Sequence, residues 1–564
     1  MKDHYPTLET VPMDWLVSPE MQPEYLELLG YDVPEMTNLA ELFVDNRVRE
    51  GLGEHIAVIQ ADDDQRYTYN DLMHVSMRLA HVLKNLGVLP GDRVAIRSPN
   101  RVEALTMFLA IWRVGGIAVL TPPQARASEL PFFLNDTLAK VLFVANKGDY
   151  IGETLKCQSE FQSVRHIVAF PDNTGTPYLS LAALLEGVPD FFENQSMPRD
   201  SLAVIWHTGG TTGVAKACYH TIRRVVLAGY AGAIGYGVCA GDVHMMPAPL
   251  GHAAGWLSRT NLSLLHGITF VELEDFTDYS KILRAIGKYH VTWFIALATS
   301  WVGMLHAYEE SPGTYNLSSL QRAYAPFISA TGGWLYNAWK NLGFTLLNPM
   351  GSTAFATWFI APPLNQTVPP MCLGRPNPGY EVRIVDAESQ HLQNVATGEI
   401  GRIALRGCSG LTYWNRPEVQ NRDVREGWVV LDDLGKQDEE GNLWYMGRAD
   451  MMISTAGYKV APVEVEDVIS THPAVEEVAV TSAPDAVRGE VVMAWIVPKK
   501  EVHPDAALVE EIQNYVKERI SPYKYPRRVA FVKELPHDPV GKIIVKLLKN
   551  WASSEKEPEG LLYW

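Results

Sequence analysis

Between Ile56 and His207 the chain alternates short apolar runs with longer segments of helical spacing. That alternation restricts it to folds built on largely parallel sheets, because each strand must be reached by a crossover that a helix supplies. Ile56–Ile59, Arg93–Arg97, Ile117–Leu120, Lys140–Ala145, His166–Phe170 and Leu202–His207 read as strands, and Tyr67–Thr68 as the opening of another. Tyr69–Leu86 and Asn100–Val114 read as helices, with Asn70 and Asn100 as their N-caps. An irregular leader over residues 1–36 precedes a further helix at Asn38–Arg49. The most apolar stretch, Leu105–Val119, is too short to span a bilayer and is broken by Arg113, Gly115 and Gly116. It reads as a buried helix that stops at the glycines and runs into a strand.

The character changes near residue 380. Tyr380–Val385, Gly401–Leu405 and Trp428–Leu431 are short strands joined by polar turns, a β-rich unit. After Arg448 come helix Val463–Thr471, strands Val475–Ala483 and Val491–Pro498, helix Ala506–Ile520 and strand Val529–Val532. The expected architecture is α/β: a large N-terminal domain of mixed α/β sheets with a small β-rich unit over residues 1–449, then an α+β C-terminal domain over residues 450–564.

Apolar residues make up 47% of the 564, enough for a large core, and the net charge is −17. An acidic balance argues against a nucleic-acid or anionic-membrane surface, so neither is expected as a partner. The five cysteines are widely spaced with no CxxC pair, which argues against a disulfide framework or a structural zinc. The polar start, MKDHYPTLETVPMDW, lacks a signal-peptide core. A cytoplasmic location is the expectation.

The segment most suggestive of chemistry is Ile205–Ala217. An apolar strand, Leu202–Trp206, runs into Thr208, Gly209, Gly210, Thr211, Thr212 and Gly213, followed by Lys216. Glycines let backbone N–H groups approach a phosphate, threonine hydroxyls donate to its oxygens, and a lysine supplies a point charge. The order is not that of the Walker loop.

This segment resembles the phosphate-loop signature of the adenylate-forming superfamily, Tyr/Phe-Thr-Ser-Gly-Thr-Thr-Gly-x-Pro-Lys-Gly. His207, Gly209, Ala215 and Ala217 stand at the variant positions. Four further stretches resemble the family's motifs in the family's order: Gly398–Pro417, Trp428–Asp450, Gly457–Glu466 and Pro539–Lys542. The chain is thereby identified as a member of that superfamily, nearest in its leader and Ser98–Leu130 to benzoate- and 2-aminobenzoate-CoA ligases.

The resemblance implies ATP, Mg²⁺ and CoA, and a carboxylic acid joined first to AMP and then to CoA. By it Asp433 accepts from the ribose hydroxyls, Arg448 contacts ribose or phosphate, and Lys542 is the catalytic lysine. Gly351 and Thr353 belong to the ATP site, with Thr353 in a catalytic role. Pro249-Leu250-Gly251-His252 resembles the segment whose histidine lies near the acyl substrate. Asp450 resembles the hinge of a mobile C-terminal domain, and Gly457, Tyr458 and Lys459 then border the pantetheine tunnel. From Lys517 to Lys549 nine basic residues face three acidic ones. Most read as a solvated face, and some as partners for CoA phosphates.

Two departures stand out. Met350 replaces the aromatic that stacks on adenine, and Ala354 replaces the glutamate that helps hold Mg²⁺, so no metal ligand is assigned. The favoured expectation is an AMP-forming carboxylate–CoA ligase acting on an aromatic or cyclic acid. Alternatives are a ligase that delivers the adenylate to an amine, an internal nucleophile or a carrier protein in trans, and a non-catalytic nucleotide-binding relative.

Overall fold

The computed structural model describes residues 21–28, 30–208, 215–326, 333–364, 368–386, 388–389, 391–455, 458–485, 488–537, 543–553 and 562–563. Two seven-stranded sheets dominate it. The first runs, edge to edge, Lys216–Thr221, Leu202–Thr208, Ile117–Leu120, Arg93–Arg97, Val141–Ala145, His166–Phe170, Leu179–Ser180. All neighbours are parallel except the hairpin of the first two. The second runs Leu346–Leu347, Arg322–Tyr324, Trp293–Ile295, Val243–Met245, Thr269–Glu272, Ile56–Gln60, Gln65–Thr68, antiparallel only at its last pair. The alternation of strands and helices is therefore realised as two parallel sheets, each closed by one antiparallel edge. Tyr67–Thr68 ends a strand that starts at Gln65 and does not open one.

Helix Val102–Arg113 is buried at every position but Glu103. A helix apolar on all sides has to be covered on all sides. Its last residue, Arg113, is fully buried and clamps Asp45 through both terminal nitrogens, at 2.9 and 2.7 Å, while Nε donates to Ser76 at 2.9 Å. The helix stops at Gly115, whose φ of 73° favours glycine and where a Cβ would lie 2.8 Å from the Met197 sulfur.

Two expected caps are corrected. The helix Tyr69–Asn85 is capped by Thr68, whose hydroxyl accepts from the Asp71 N–H at 3.1 Å while Asp71 accepts from the Thr68 N–H at 2.7 Å, a capping box. Asn70 instead donates to Glu54 at 2.8 Å. Nor does Asn100 cap the following helix, which begins after Arg101 without a side-chain cap. Its amide joins the two sheets. Asn100 Oδ1 accepts from Leu250 N–H at 2.7 Å, and Nδ2 donates to the carbonyls of Ala248 (3.0 Å) and Leu273 (3.2 Å). Those carbonyls follow strands of the second sheet, whereas Asn100 follows Arg93–Arg97 of the first. The helix expected from Asn38 to Arg49 begins after Asn38, whose Oδ1 accepts from the Ala40 N–H at 3.0 Å, and is wound wide over Glu41–Asp45 and Val48–Leu52, with a break at Gly51, φ 90°.

The β-rich unit is a six-stranded antiparallel sheet holding Tyr380–Asp386, Gly401–Gly407, Trp428–Gln437 and Leu443–Arg448. A last sheet, built from residues 453–563, packs the helices Pro462–Ser470, Ala506–Lys517 and Val545–Ser553. Its apolar core, including Ile453, Val465, Ile512 and Phe531, forms a cluster distinct from those of the preceding sheets. The five cysteines are all free thiols, and only Cys239 is exposed. No described helix is long and apolar enough to cross a membrane.

Asn100→Ala should destabilise the chain by roughly 2–3 kcal/mol, because it strands the Leu250 N–H and the Leu273 carbonyl, while the Ala248 carbonyl keeps its bond from Arg259. Denaturant unfolding of the full chain measures it. An unchanged midpoint would mean that the sheets do not depend on this amide.

Candidate active site

Strand Leu202–Thr208 carries the phosphate motif to the edge of the first sheet and returns as Lys216–Thr221, with Thr208 opposite Lys216. Gly209, Gly210, Thr211, Thr212 and Gly213 lie outside the described residues, as does Lys542. Lys216 closes the hairpin with its ammonium 5.8 Å from the centre of the Tyr413 ring. The returning arm of the hairpin is anchored twice. Trp414 N–H donates to the Ala217 carbonyl at 2.9 Å and Tyr219 N–H to the Thr412 carbonyl at 3.0 Å. His207, in place of the family's aromatic, packs edge-on to Phe133 with centroids 4.8 Å apart. Its Nε2 lies 3.1 Å from Asp136 Oδ2, and Arg416 donates to Asp136 Oδ1 at 2.7 Å. Burial raises the Asp136 pKa, but the bonds from His207 and Arg416 outweigh it and hold the carboxyl below its ordinary value.

Behind the hairpin runs a line of buried rings. Trp112 and Trp256 are 5.6 Å apart, Trp256 and Trp206 5.6 Å, Trp206 and His220 4.6 Å. Burial lowers His220 to about 3, so the ring is neutral and packs as an aromatic. Trp206 Nε1 donates to the Thr353 carbonyl at 2.9 Å. That bond, which nothing in the sequence signals, ties the phosphate strand to the segment of Gly351 and Thr353. Gly351 lies in strand Met350–Ser352, where an added Cβ would sit 2.6 Å from the Trp358 ring and 2.8 Å from the Thr357 carbonyl. Met350, at the position of the adenine-stacking aromatic, is fully buried in the core.

His252 caps the short helix Ala253–Arg259, its Nδ1 accepting from the Ala254 N–H at 3.2 Å. The ring is exposed, yet enough protein surrounds it that desolvation lowers its pKa. With Nδ1 occupied as an acceptor, the neutral ring carries its proton on Nε2, a donor directed away from the helix.

The β-rich unit contributes a second cluster. Asp433, in strand Trp428–Gln437, stands opposite Arg448 in strand Leu443–Arg448. Asp433 Oδ1 accepts from the Tyr445 hydroxyl at 3.2 Å. Arg448 donates from Nε to Asp450 Oδ1 at 3.0 Å and from a terminal nitrogen to Asp450 Oδ2 at 3.3 Å. The same guanidinium lies 3.6 Å from Asp432 and 3.9 Å from Asp433, and Arg402 donates to Asp432 at 2.8 Å. Burial works against the Arg448 charge, but the Asp450 bond and the neighbouring carboxylates outweigh it and raise its pKa. Asp450 follows in the single turn Ala449–Met451. Gly457 lies outside the described residues. Tyr458 and Lys459 belong to strand Tyr458–Val460, paired with Thr455 and Ser454. The structure thus brings Asp433, Arg448 and Asp450, all singled out in the sequence, together with Tyr445 and Asp432, which were not. An aromatic inside an apolar run, as Tyr445 is in Leu443–Met446, reads as core.

Comparison with known proteins matches the AMP-binding enzyme family over residues 45–414 and the AMP-binding enzyme C-terminal domain over residues 464–542. The chain is 28% identical over 521 residues to a long-chain-fatty-acid–CoA ligase of Bacillus subtilis (strain 168), covering 86% of this chain and 90% of the relative. It is 29% identical over 496 residues to the mitochondrial acyl-coenzyme A synthetase ACSM5 of Homo sapiens, covering 85% and 83%. Among solved structures, the anthranilate CoA ligase AuaEII in complex with anthranoyl-AMP superposes with a TM-score of 0.83 at 26% identity, covering 93% of this chain and 98% of that one.

Gly351→Ala should cost about 1–3 kcal/mol by forcing Trp358 out of its place. A lowered thermal midpoint with shifted tryptophan fluorescence is the expected readout, and a wild-type midpoint would show that the ring moves freely.

Proposed function

The chain belongs to the AMP-binding enzyme family, and from that premise we propose that it activates an aromatic or cyclic carboxylic acid and transfers it to CoA. Enzymes of this type use ATP, Mg²⁺ and CoA. A carboxylate oxygen attacks the α-phosphate of ATP, diphosphate leaves, and an acyl-adenylate forms. The CoA thiolate then displaces AMP from the acyl carbon and leaves a thioester. Mg²⁺ enters as the ion on the triphosphate of its substrate. The described residues contain no group of three His, Cys, Asp or Glu side chains able to hold a metal by itself.

The observation that carries this reading is the Trp206–Thr353 bond, because it joins two segments assigned to the ATP site. Both reactants are anions, so the site has to supply donors and positive charge in a fixed geometry. On this reading Lys216 and the glycine-threonine loop face the phosphates, Asp433 and Arg448 the ribose, and Lys542 the α-phosphate and the carboxylate. His252 offers its Nε2–H to the acid without adding charge. Ala253, Ala254 and Gly255, small residues beside His252, suit a ring. The C-terminal domain turns at Asp450 after adenylation, withdraws Lys542 and brings Gly457, Tyr458 and Lys459 to the pantetheine path.

ATP–diphosphate exchange tests the proposal across benzoate, 2-aminobenzoate, cyclohexanecarboxylate, octanoate and palmitate, repeated with CoA and mass analysis of the product. Exchange with the cyclic acids and a CoA thioester are expected. Exchange with the straight chains alone overturns the acid class. An amide or no thioester overturns the acceptor, and no exchange with any acid overturns the adenylation.

Lys542→Ala should cut adenylate formation by roughly 10²–10³-fold, the loss typical of one charged donor at a developing negative charge. Thioester formation from supplied acyl-adenylate should stay within a few-fold of wild type. Equal loss of both half-reactions would remove Lys542 from this role.

A further inference from the structure

We propose that the buried pair Arg259–Glu272 is a positioning device for the carboxylic acid: one guanidinium pins both ends of the loop Ala248–Gly255 and thereby sets which acids the site accepts. The inference rests on the reading of His252 and the small residues after it as the surface that meets the acid, and adds the groups that fix that surface. Arg259, the last residue of helix Ala253–Arg259, is fully buried, and its charge is met by Glu272 of strand Thr269–Glu272, itself 1% exposed. Its Nε donates to Glu272 Oε2 at 2.5 Å, and a terminal nitrogen donates to Oε1. Further donors of the same guanidinium go to backbone. One terminal nitrogen donates to the Gly255 carbonyl at 2.6 Å and the other to the Ala248 carbonyl at 3.1 Å. Ala248 and Gly255 are the two ends of the segment that carries His252.

Strand and helix periods explain the fit. Glu272 and Phe270 are two residues apart in one strand and share a face. The guanidinium lies 4.7 Å from the centre of the Phe270 ring while its edge meets the carboxylate. Gly255 lies four residues before Arg259, about one helical turn, so its carbonyl is within reach. Apolar residues of similar volume often replace a buried ion pair at little cost in stability, so stability alone does not call for one. Apolar side chains, however, hold no carbonyl in place. A lysine ammonium is a single point, whereas the guanidinium fork meets a carboxylate and two carbonyls on separate edges. The loop has little other freedom. Asn100 accepts from the Leu250 N–H, and an added Cβ would lie 2.3 Å from the Thr121 carbonyl at Gly251 and 2.1 Å from the Pro249 carbonyl at Gly255. A shift at the Arg259 end therefore displaces His252 together with the residues beside it.

Arg259→Lys keeps a charge opposite Glu272 and removes the fork. Steady-state kcat and KM for benzoate and octanoate, with KM and calorimetric Kd for ATP, provide the test. In the variant the KM for acid should rise roughly 5–20-fold, while the KM and Kd for ATP stay within about twofold. The ratio of kcat/KM between the two acids should move toward one by roughly 3–10-fold, whichever acid wild type prefers. That ratio is taken within one variant, so loss of folded protein cancels. Arg259→Met combined with Glu272→Met removes both charges, supplies a second folded protein and should show the same shift. Lys140→Met strips Asp92 of its ammonium at the opposite end of strand Arg93–Arg97 from Asn100. It should lower the unfolding midpoint and leave the ratio as in wild type. An unchanged ratio in either folded Arg259 variant, a rise for ATP equal to that for acid, the same shift in Lys140→Met, or failure of both Arg259 variants to fold overturns the proposal. His252→Ala separates the inference from its parent reading. An unchanged acid KM there overturns both, whereas a raised acid KM there with wild-type behaviour in Arg259→Lys overturns this inference alone.

Discussion

Two buried amides, those of Asn100 and Gln60, set the two large sheets against one another. Asn100 follows the strand Arg93–Arg97 of one sheet and closes three hydrogen bonds on loops that leave strands of the other. Gln60 repeats the join from the opposite side, accepting from Val102 N–H at 3.3 Å and donating to the Asn100 carbonyl at 3.3 Å. Apolar contact between sheets fixes no register, since it is non-directional. Hydrogen bonds from a rigid amide do. They place the segment Pro249–His252 directly beside the end of the first sheet, where Gly251 comes so near the Thr121 carbonyl that a Cβ would lie 2.3 Å from it.

From that join the arrangement passes into the site through rigid parts. The buried helix Val102–Arg113 delivers Trp112 to Trp256, Trp256 packs on Trp206, and Trp206 bonds the Thr353 carbonyl. Large rings in a close-packed core have few alternative placements, so each fixes the next. The phosphate hairpin is thereby held from below by aromatic packing and from the side by the His207–Asp136–Arg416 bonds.

The carboxylate cluster around Arg448 follows a different rule. Asp432, Asp433 and Asp450 surround Arg448, and Arg402 also meets Asp432. With three carboxylates and two guanidiniums within a few residues, the charges nearly compensate, and each group has several partners of similar distance. Ion pairs at partial exposure contribute little to stability individually. Their value here is that Arg448 links the carboxylate read as the ribose acceptor with the residue read as the hinge, within one side chain's reach.

The order of strands and helices was legible in the sequence because it depends on local pattern, and the readings of the glycine-threonine segment, Asp433, Arg448 and Asp450 rest on their resemblance to contiguous motifs. Period-two and period-3.6 spacing report which face of an element is buried, and glycine-threonine loops are contiguous in the chain. Caps were not legible to the same degree. Thr68 and Asn70 are both competent caps, and the capping box of Thr68 with Asp71 decides between them. Asn100 stands where a cap belongs, but buried carbonyls from two distant loops had a stronger claim on its amide. The same holds for Tyr445, whose place in an alternating strand gives the pattern of a core aromatic. Only the shifted ladder beside Asp433 turns its hydroxyl into a partner for the carboxylate. Sequence spacing settles what a residue's own element does with it, whereas hydrogen bonds between residues remote in the chain exist only once packing has brought the elements together.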